Sequence, residues 1–583
     1  MSKHPCIGID LGTATSEIAV WQDGAPLVLP DPDSPGRSPV VPSIVAVDRS
    51  GRLLVGESAR AYVDLPGSGA RQVKRRMGTG EQVALGGKAY RPEEISAQIL
   101  RLLKSNAEQA LGVTIHKAVL SVPANFGEAQ RKATYDAARL AGLEVVRMIN
   151  EPTAAALAFG VRNSQAEGQV VVFDFGGGTL DVTILEMMEG ILEVKASYGD
   201  AQLGGKDFDQ ALADLLERRF RLAHPQAQAS ERARAELRSV AESVKTQLSR
   251  HPAVQAFCPN YAVEAGRPLD LEFEVTRREF EEAIRPLLER ARKCLQTTLE
   301  KAKVQARSVG RVLLVGGTTY VPAVRTLVAE IMGQEPRREV DPDLAVAQGA
   351  AIEAALIAGE IPSDQGLIKT DVTSFGLGVN VVGFVGLHMV NDLYDALIQP
   401  NTTLPYQVSK SYSLLHAEQK QVQLCLYQDH EGTAKRVVDA QATGLSAEIE
   451  DIPVSETGEP HPLEVDFSYD LNGLIQLRAR IPTTGQEVAL MTSRDGARSL
   501  DPAAFAQSKA KVDDLWSRSP LANRYEGLIR KAERMVPELR PEDRKKVHQA
   551  TAALQEALAS GDESRVEKAA DRLTDLLFDL DGA

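Results

Sequence analysis

Three short apolar runs in the first 365 residues each end on glycine: IGIDLG, VVVFDFGGG and VLLVGG. Apolar runs of this length closed by glycine predict buried strands. Between them, FGEAQRKATYDAARLAGL (Phe126 to Leu143) spaces its apolar residues at helical intervals and carries a glycine near its end, which predicts a helix. The mixture predicts an α/β architecture over 1–365. From about Val372 to Leu490 the period changes to two. Leu463, Val465, Phe467 and Tyr469 alternate with Glu464, Asp466 and Ser468; after DLNG, Ile475, Leu477, Ala479 and Ile481 alternate with Gln476, Arg478 and Arg480. Asn-Gly between two alternating runs predicts a hairpin. QVQLCLYQ repeats the pattern, with Val422, Leu424 and Leu426 on one face. An antiparallel β domain is therefore expected over this stretch. In the last ~80 residues the period becomes helical. Pro541 stands at a first turn with Glu542 and Asp543 behind it; Val547, Leu554 and Leu558 form one stripe, and Val566, Ala570, Leu573 and Leu577 form the next. Proline and acids suit a helix start, so a small helical bundle ends the chain.

GIDLGTATSEIAV (Gly8 to Val20) and FDFGGGTLDVTIL (Phe173 to Leu185) are loose copies of each other. Each has an aspartate at the end of an apolar run, a glycine-bearing turn with threonine, and a return strand. Such a turn bares successive backbone N–H groups, which make an anion-binding nest. The threonine hydroxyls add donors. The aspartates repel an anion and make sense facing a cation, and hydrated Mg²⁺ is the usual companion of phosphates. Two such hairpins facing each other clamp a polyphosphate from both sides. A third glycine turn, LLVGGTTYVPAVR (Leu313 to Arg325), leads from a strand into a helix, a geometry suited to a nucleoside or phosphate. No GxxxxGK[ST] loop occurs.

Composition narrows the class. The 583 residues exceed one core, and a net charge of −14 (66 basic, 80 acidic) argues against nucleic acid as main partner. Cys6, Cys258, Cys294 and Cys425 show no CxxC spacing, so neither a disulfide framework nor a zinc site is indicated. No uncharged apolar run reaches eighteen residues, and MSKHPCIGID runs straight into a strand pattern. A cytoplasmic protein with no membrane partner is expected.

The motifs IGIDLGTATSE, SVPANFGEAQRKAT, INEPTAAALAFG, VFDFGGGTLDVTIL, LGGKDFD, LLVGGTTYVP and DPDLAVAQGAAI follow the order found in the seventy-kilodalton heat-shock chaperones. The chain resembles a divergent bacterial-type member of that DnaK-like family. The resemblance continues through DVTSFGLGV and PNTTLPYQV into the helical tail. It implies an actin-like (ribonuclease H-like), two-lobed ATPase domain over 1–365 and a linker over 366–372. A β-sandwich peptide-binding domain over 373–497 and a shortened helical lid over 498–583 would follow. The implied activity is slow ATP hydrolysis coupled to binding and release of exposed apolar segments of unfolded proteins, with a J-domain co-chaperone and a nucleotide-exchange factor as partners.

By the same resemblance, Asp10 and Asp174 match the aspartates that hold the metal through water, and Gly12, Thr13, Ala14 and Thr15 with Gly176, Gly177, Gly178 and Thr179 match the phosphate loops. Lys74 matches the lysine reaching the γ-phosphate and attacking water. Glu151 matches a carboxylate facing water and metal, Asp181 a further acid, and Thr179 a γ-phosphate contact. Gly204, Gly205, Glu242, Lys245, Ser249, Gly316, Gly317, Thr318, Tyr320 and Asp343 fall in the nucleotide-binding stretches. The implied ligands are ATP or ADP and Mg²⁺, with K⁺ as a further ion. Val382, Tyr412, Leu415, Val422 and Leu424 fall at or beside the peptide-contacting positions.

Several positions depart from the family pattern. Ala14 removes one hydroxyl from the first phosphate turn. Thr246 and Tyr320 stand where arginines flank the adenine, and stacking of Tyr320 on the base is expected to replace one of them. The linker GLIKTDV carries Lys369 and Thr370 in place of leucines. Losing two buried leucines weakens docking by a few kcal/mol, which puts coupling in doubt. Pro123, Arg131 and Arg147 match interdomain switch positions and argue that coupling survives. Two other classes share these residues: a small-molecule kinase of the same superfold, for which the appended β and helical regions have no use, and a nucleotide-binding scaffold or dedicated-client holdase with weak or uncoupled ATPase.

Overall fold

The computed structural model describes residues 5–163, 167–188, 191–336, 339–361, 368–385, 388–470, 475–491 and 502–518, with parts of 528–581. Two sheets of like topology carry the first region. In one, β1 (Cys6–Leu11), β2 (Thr15–Gln22) and β3 (Ala25–Val28) form a meander, with β4 (Lys117–Val122) parallel to β1 and β5 (Glu144–Asn150) beyond it. In the other, β6 (Gly168–Phe175), β7 (Leu180–Met188) and β8 (Ile191–Asp200) form the meander, and β9 (Val309–Val315) runs parallel to β6. Both sequence hairpins thus occupy the same place in their sheets.

Two helices made of small residues lie between the sheets. They are α3 (Glu151–Arg162, EPTAAALAFGVR) and α8 (Ala345–Ala358, AVAQGAAIEAALIA). Glu151 and Pro152 open α3 in the manner favoured at helix starts. A Cβ on Gly349 would lie 1.8 Å from the Ala154 carbonyl oxygen, and one on Gly8 2.1 Å from the Ala351 nitrogen. Backbone meets backbone at both crossings. The remaining large helices cover the outer faces: α1 (Pro92–Leu111) and α2 (Glu128–Leu140) in the first half, and α4 (Gly205–Ala223), α5 (Glu231–Leu248), α6 (Arg277–Ala302) and α7 (Pro322–Met332) in the second.

Residues 368–369 form a short strand, β10, parallel to β8. Beyond it stand two four-stranded antiparallel sheets. The first contains β11 (Gly376–Val385), β12 (His388–Ile398), β14 (Val422–Asp429) and β15 (Gln441–Ile449); the second contains β13 (Tyr406–Ser413), β16 (Pro462–Tyr469), β17 (Ile475–Ile481) and β18 (Gln486–Met491). Leu377, Leu424 and Leu426 of one sheet and Val465, Phe467 and Leu477 of the other share one core. Alternation predicted these faces. The predicted DLNG turn falls mostly outside the described residues.

Helix α9 (Pro502–Ser517) lies against α1 and α2 of the first region. Val512 and Leu515 join the apolar core there. Gln98 Nε2 donates to the Val512 carbonyl at 3.1 Å, Arg101 pairs with Asp513, and the Arg139 guanidinium sits 4.5 Å from the Phe505 ring centre. Helices α10 (Pro541–Ser560) and α11 (Glu563–Asp581) bury the predicted stripes against each other, from Val547 and Leu554 to Leu573 and Leu577. Among the described residues all four cysteines are free thiols, and no helix is long and apolar enough to cross a membrane.

The α3–α8 crossing makes a stability prediction. Gly349→Ala places a methyl group against the α3 backbone, which cannot rotate away. A loss of about 2–4 kcal/mol is expected, read as a lowered midpoint in urea unfolding.

Candidate active site

The two glycine turns meet face to face. A Cβ on Gly177 would fall 2.6 Å from Ala14 Cβ, and one on Gly178 2.3 Å from Thr13 Oγ1. No side chain fits at either glycine. The carbonyls of the second turn are held from outside it. Gly176 O accepts from the Gly205 N–H (3.1 Å) and the Thr318 hydroxyl (2.8 Å), Gly177 O from the Lys206 N–H (3.0 Å), and Gly178 O from Arg75 Nε (2.8 Å). With these carbonyls turned outward, the turn can present N–H groups to the cleft as an anion nest. Gly204 lies so close that a Cβ there would meet Gly178 N at 2.4 Å.

At the floor of the cleft Lys74 Nζ donates to Glu151 Oε1 at 2.5 Å, and both side chains are buried. Lys74 comes from the short helical turn Val73–Arg76 and Glu151 from the start of α3. The Ser121 hydroxyl donates to Asp10 Oδ1 at 2.6 Å, and Asn125 donates to Asp181 Oδ1 through its backbone N–H (3.1 Å) and Nδ2 (2.6 Å). Asp174 faces Asp181 across the β6–β7 ladder. Its Oδ2 is buried with no hydrogen-bond partner among the described residues. Burial and neighbouring carboxylates push Asp174 well above its ordinary range. Burial raises Glu151 to about 7 despite the opposing pull of Lys74, and raises Asp181 to about 6 against its bonds from Asn125. Burial likewise raises Asp10. Lys74 is raised too: burial pulls it down, but Glu151 and Asp10 outweigh that. An orphaned carboxylate oxygen beside an anion nest fits a hydrated divalent cation bound with a polyphosphate, so these residues suit a metal-nucleotide.

Gly12, Thr13, Ala14, Thr15, Gly176, Gly177, Thr179, Gly205, Glu242, Lys245, Gly316, Gly317, Thr318 and Asp343 line the same cleft with Asp10, Lys74, Glu151 and Asp174. Lys245 pairs with Asp209 (2.6 Å) and Glu242 with Lys206 (2.5 Å). Gly178, Asp181, Gly204, Ser249 and Tyr320 are not among the lining residues. Tyr320, expected to stack on a base, is half-buried and donates its hydroxyl to Asp343 Oδ2 at 3.2 Å. Thr246, at the other expected arginine position, does line the cleft.

A sequence profile described as "Hsp70 protein" matches residues 6–581. The chain belongs to the Hsp70 family. It is 40% identical over 497 residues to the "Chaperone protein DnaK" of Thermotoga petrophila and to that of Thermotoga maritima, covering 84% of this chain and 80% of each relative. The same description applies to a Thermosipho melanesiensis protein, 38% identical over 496 residues with the same shares. Hsp70 membership brings with it a multidomain α/β architecture, chaperone function, ATP binding and unfolded-protein binding.

The positions expected to meet peptide in this Hsp70 chain are spread between surface and core. Leu415 is exposed, Val382, Tyr412 and Val422 are half-buried, and Leu424 is buried in the sandwich core. Tyr412 donates to Asp395 Oδ2 at 2.6 Å, and Lys410 Nζ reaches both oxygens of the same carboxylate at 2.9 Å. This clip ties an edge strand of one sheet to an edge strand of the other.

Sequence reasoning missed Ser121, Asn125 and Arg75. Ser121 reaches Asp10 across 111 positions, so no local spacing signals it. Asn125 stands in the quoted SVPANFGEAQR stretch, and Arg75 beside Lys74, but only the fold shows what each one holds.

The acid cluster makes a pH prediction for the nucleotide-free protein. Asp181 binds its proton more tightly folded than unfolded, so its contribution to stability falls as pH rises from its ordinary value of 3.8 through about 6. Asp181→Asn removes that slope. Relative to the variant, the wild type is expected to lose about 1–2 kcal/mol between pH 5 and 8, measured by urea unfolding at both pH values.

Proposed function

We propose that this Hsp70 chain hydrolyses ATP slowly in the cleft of an actin-like, two-lobed domain over 1–365 and uses the nucleotide state to control peptide held by the β-sandwich over 373–497. The linker over 366–372 carries the signal, and the helices of 498–583 act as a shortened lid. The observation that carries the reading is a hydrogen-bonded route from the cleft to the linker. Asn150, the residue before Glu151, accepts from Arg131 Nη2 (2.7 Å) and donates to Asp371 Oδ2 (2.9 Å). Arg131 also donates to the Ala124 carbonyl, which accepts from the Ser374 hydroxyl as well. The Glu128 N–H donates to Gln428 Oε1 (3.2 Å), and the Ser197 N–H to Asn401 Oδ1 (2.8 Å). A change at Glu151 therefore has a packed, polar path to both linker and sandwich.

Lys369 and Thr370 do not break this path, because the linker docks through its main chain. Residues 368–369 pair with the edge of β8, and the Thr370 N–H donates to the Leu192 carbonyl at 3.0 Å. Backbone bonds of this kind tolerate side-chain exchange.

In the cleft, the turn amides and the Thr13 and Thr179 hydroxyls would cradle phosphate, and Asp10 and Asp174 would hold hydrated Mg²⁺, which neutralises charge on the transferring phosphoryl group. Lys74 supplies positive charge where negative charge builds up, and Glu151 orients the attacking water. Apolar peptide would be held beside Val382, Tyr412, Leu415 and Val422, where Phe384 and Met389 are also exposed. A cytoplasmic protein served by a J-domain co-chaperone and a nucleotide-exchange factor completes the proposal.

Single-turnover hydrolysis with and without an unfolded peptide tests it. Peptide is expected to accelerate hydrolysis by about 5-fold or more, in the range of ordinary coupling energies. Asp371→Ala is expected to abolish the acceleration and keep the basal rate. Lys74→Ala is expected to slow hydrolysis by about 100-fold or more with ADP still bound. Full activity in the lysine variant would overturn the assignment, and no response to peptide would leave an uncoupled holdase.

A further inference from the structure

The first glycine turn has an acid at each end, as the second does: DLGTATSE spans Asp10 to Glu17, and DFGGGTLD spans Asp174 to Asp181. In both hairpins the two acids are direct cross-strand partners, Asp10 with Glu17 and Asp174 with Asp181. Side chains paired in this way share one face, with Cβ atoms roughly 5 Å apart. The two hairpins differ in how the second acid is satisfied. Asp181 receives two hydrogen bonds from Asn125. Glu17 lines the cleft at 2% exposure, and its Oε1 has no hydrogen-bond partner among the described residues.

Charge sharpens the problem. The groups acting on Glu17 besides the Thr15 hydroxyl are Asp10, Asp343 and Lys74. Lys74 is already committed to Glu151. A buried carboxyl that lines a cleft with one oxygen, Oε1, lacking a donor keeps its charge only where a cation meets it. Two carboxylates do not make a closed protein site, and among the described residues no cluster of three or more metal-ligating side chains exists. Water and phosphate oxygens must complete the shell, as hard divalent cations permit.

We propose that Asp10 and Glu17 hold a divalent cation of their own at the first phosphate turn, in addition to the hydrated Mg²⁺ expected at Asp10 and Asp174, and that it binds only with nucleotide. The proposal rests on the reading of the cleft as a nucleotide site. Mn²⁺ is the probe: titration of the full chain at saturating ADP, followed by electron paramagnetic resonance of free Mn²⁺, with bound ADP measured in the same samples by equilibrium dialysis. The wild type is expected to take up two Mn²⁺ per chain with ADP and none tightly without it. Glu17→Gln, which keeps the side-chain volume, is expected to take up one with ADP still bound. One Mn²⁺ in the wild type with ADP bound overturns the second site and leaves the nucleotide reading standing. Two in Glu17→Gln overturns the role of Glu17. Failure of the wild type to bind ADP overturns both readings. The wild-type stoichiometry decides the matter even if the variant does not fold.

Discussion

Two backbone turns approach each other until no side chain fits between Gly177 and Ala14 or between Gly178 and Thr13. That approach is possible only because the sheets carrying the turns are joined by helices of small residues. Alanine and glycine in α3 and α8 let main chain touch main chain at Gly349 and Gly8. A larger residue at either crossing would spread the sheets and open the clamp. The outward carbonyls of the second turn, held by the start of α4, by Thr318 and by Arg75, follow from the same closeness. Packing of the smallest residues thus creates the site, and the polar chemistry is arranged around it.

The cleft holds charge against a solvation penalty. Asp10, Glu17, Glu151, Asp174 and Asp181 lie within one buried region with Lys74 as the cation acting on all of them. Burial is the leading cause of the raised proton affinity in each of the five. A ligand that brings cations to the folded cleft and not to the unfolded chain stabilises the fold, by an amount that grows with the logarithm of its concentration above Kd. The penalty in the empty state and the affinity in the loaded state are two faces of one arrangement.

Short polar contacts run between the first region and the sandwich, from Asn150 to Asp371, Ser374 to Ala124, Glu128 to Gln428 and Ser197 to Asn401. Asn150 precedes Glu151 in the chain and bonds to Asp371, and residues 368–369 pair with β8 by main-chain bonds. Helix α9 adds a second tether by burying Val512 and Leu515 against the first region. One helix of the C-terminal part therefore packs on α1 and α2 of the first region. Contacts of this strength can be broken by a modest change of state.

Much of this was legible beforehand. The sequence alone determined the two glycine turns with their acids, the period-2 faces of the sandwich and the helical stripes of the tail, because each follows from neighbours a few positions apart. At Lys369, Thr370 and Tyr320 it offered side-chain identity, and the structure adds contacts that identity does not announce. Residues 368–370 bond to β8 through their main chain, and Tyr320 bonds to Asp343. Only the tertiary structure decided that Ser121 meets Asp10, that Asn125 satisfies Asp181 while Glu17 keeps an open oxygen, and that α9 lies on α1. Those facts depend on which elements the packing brings together across tens to hundreds of residues, and local periodicity carries no record of that.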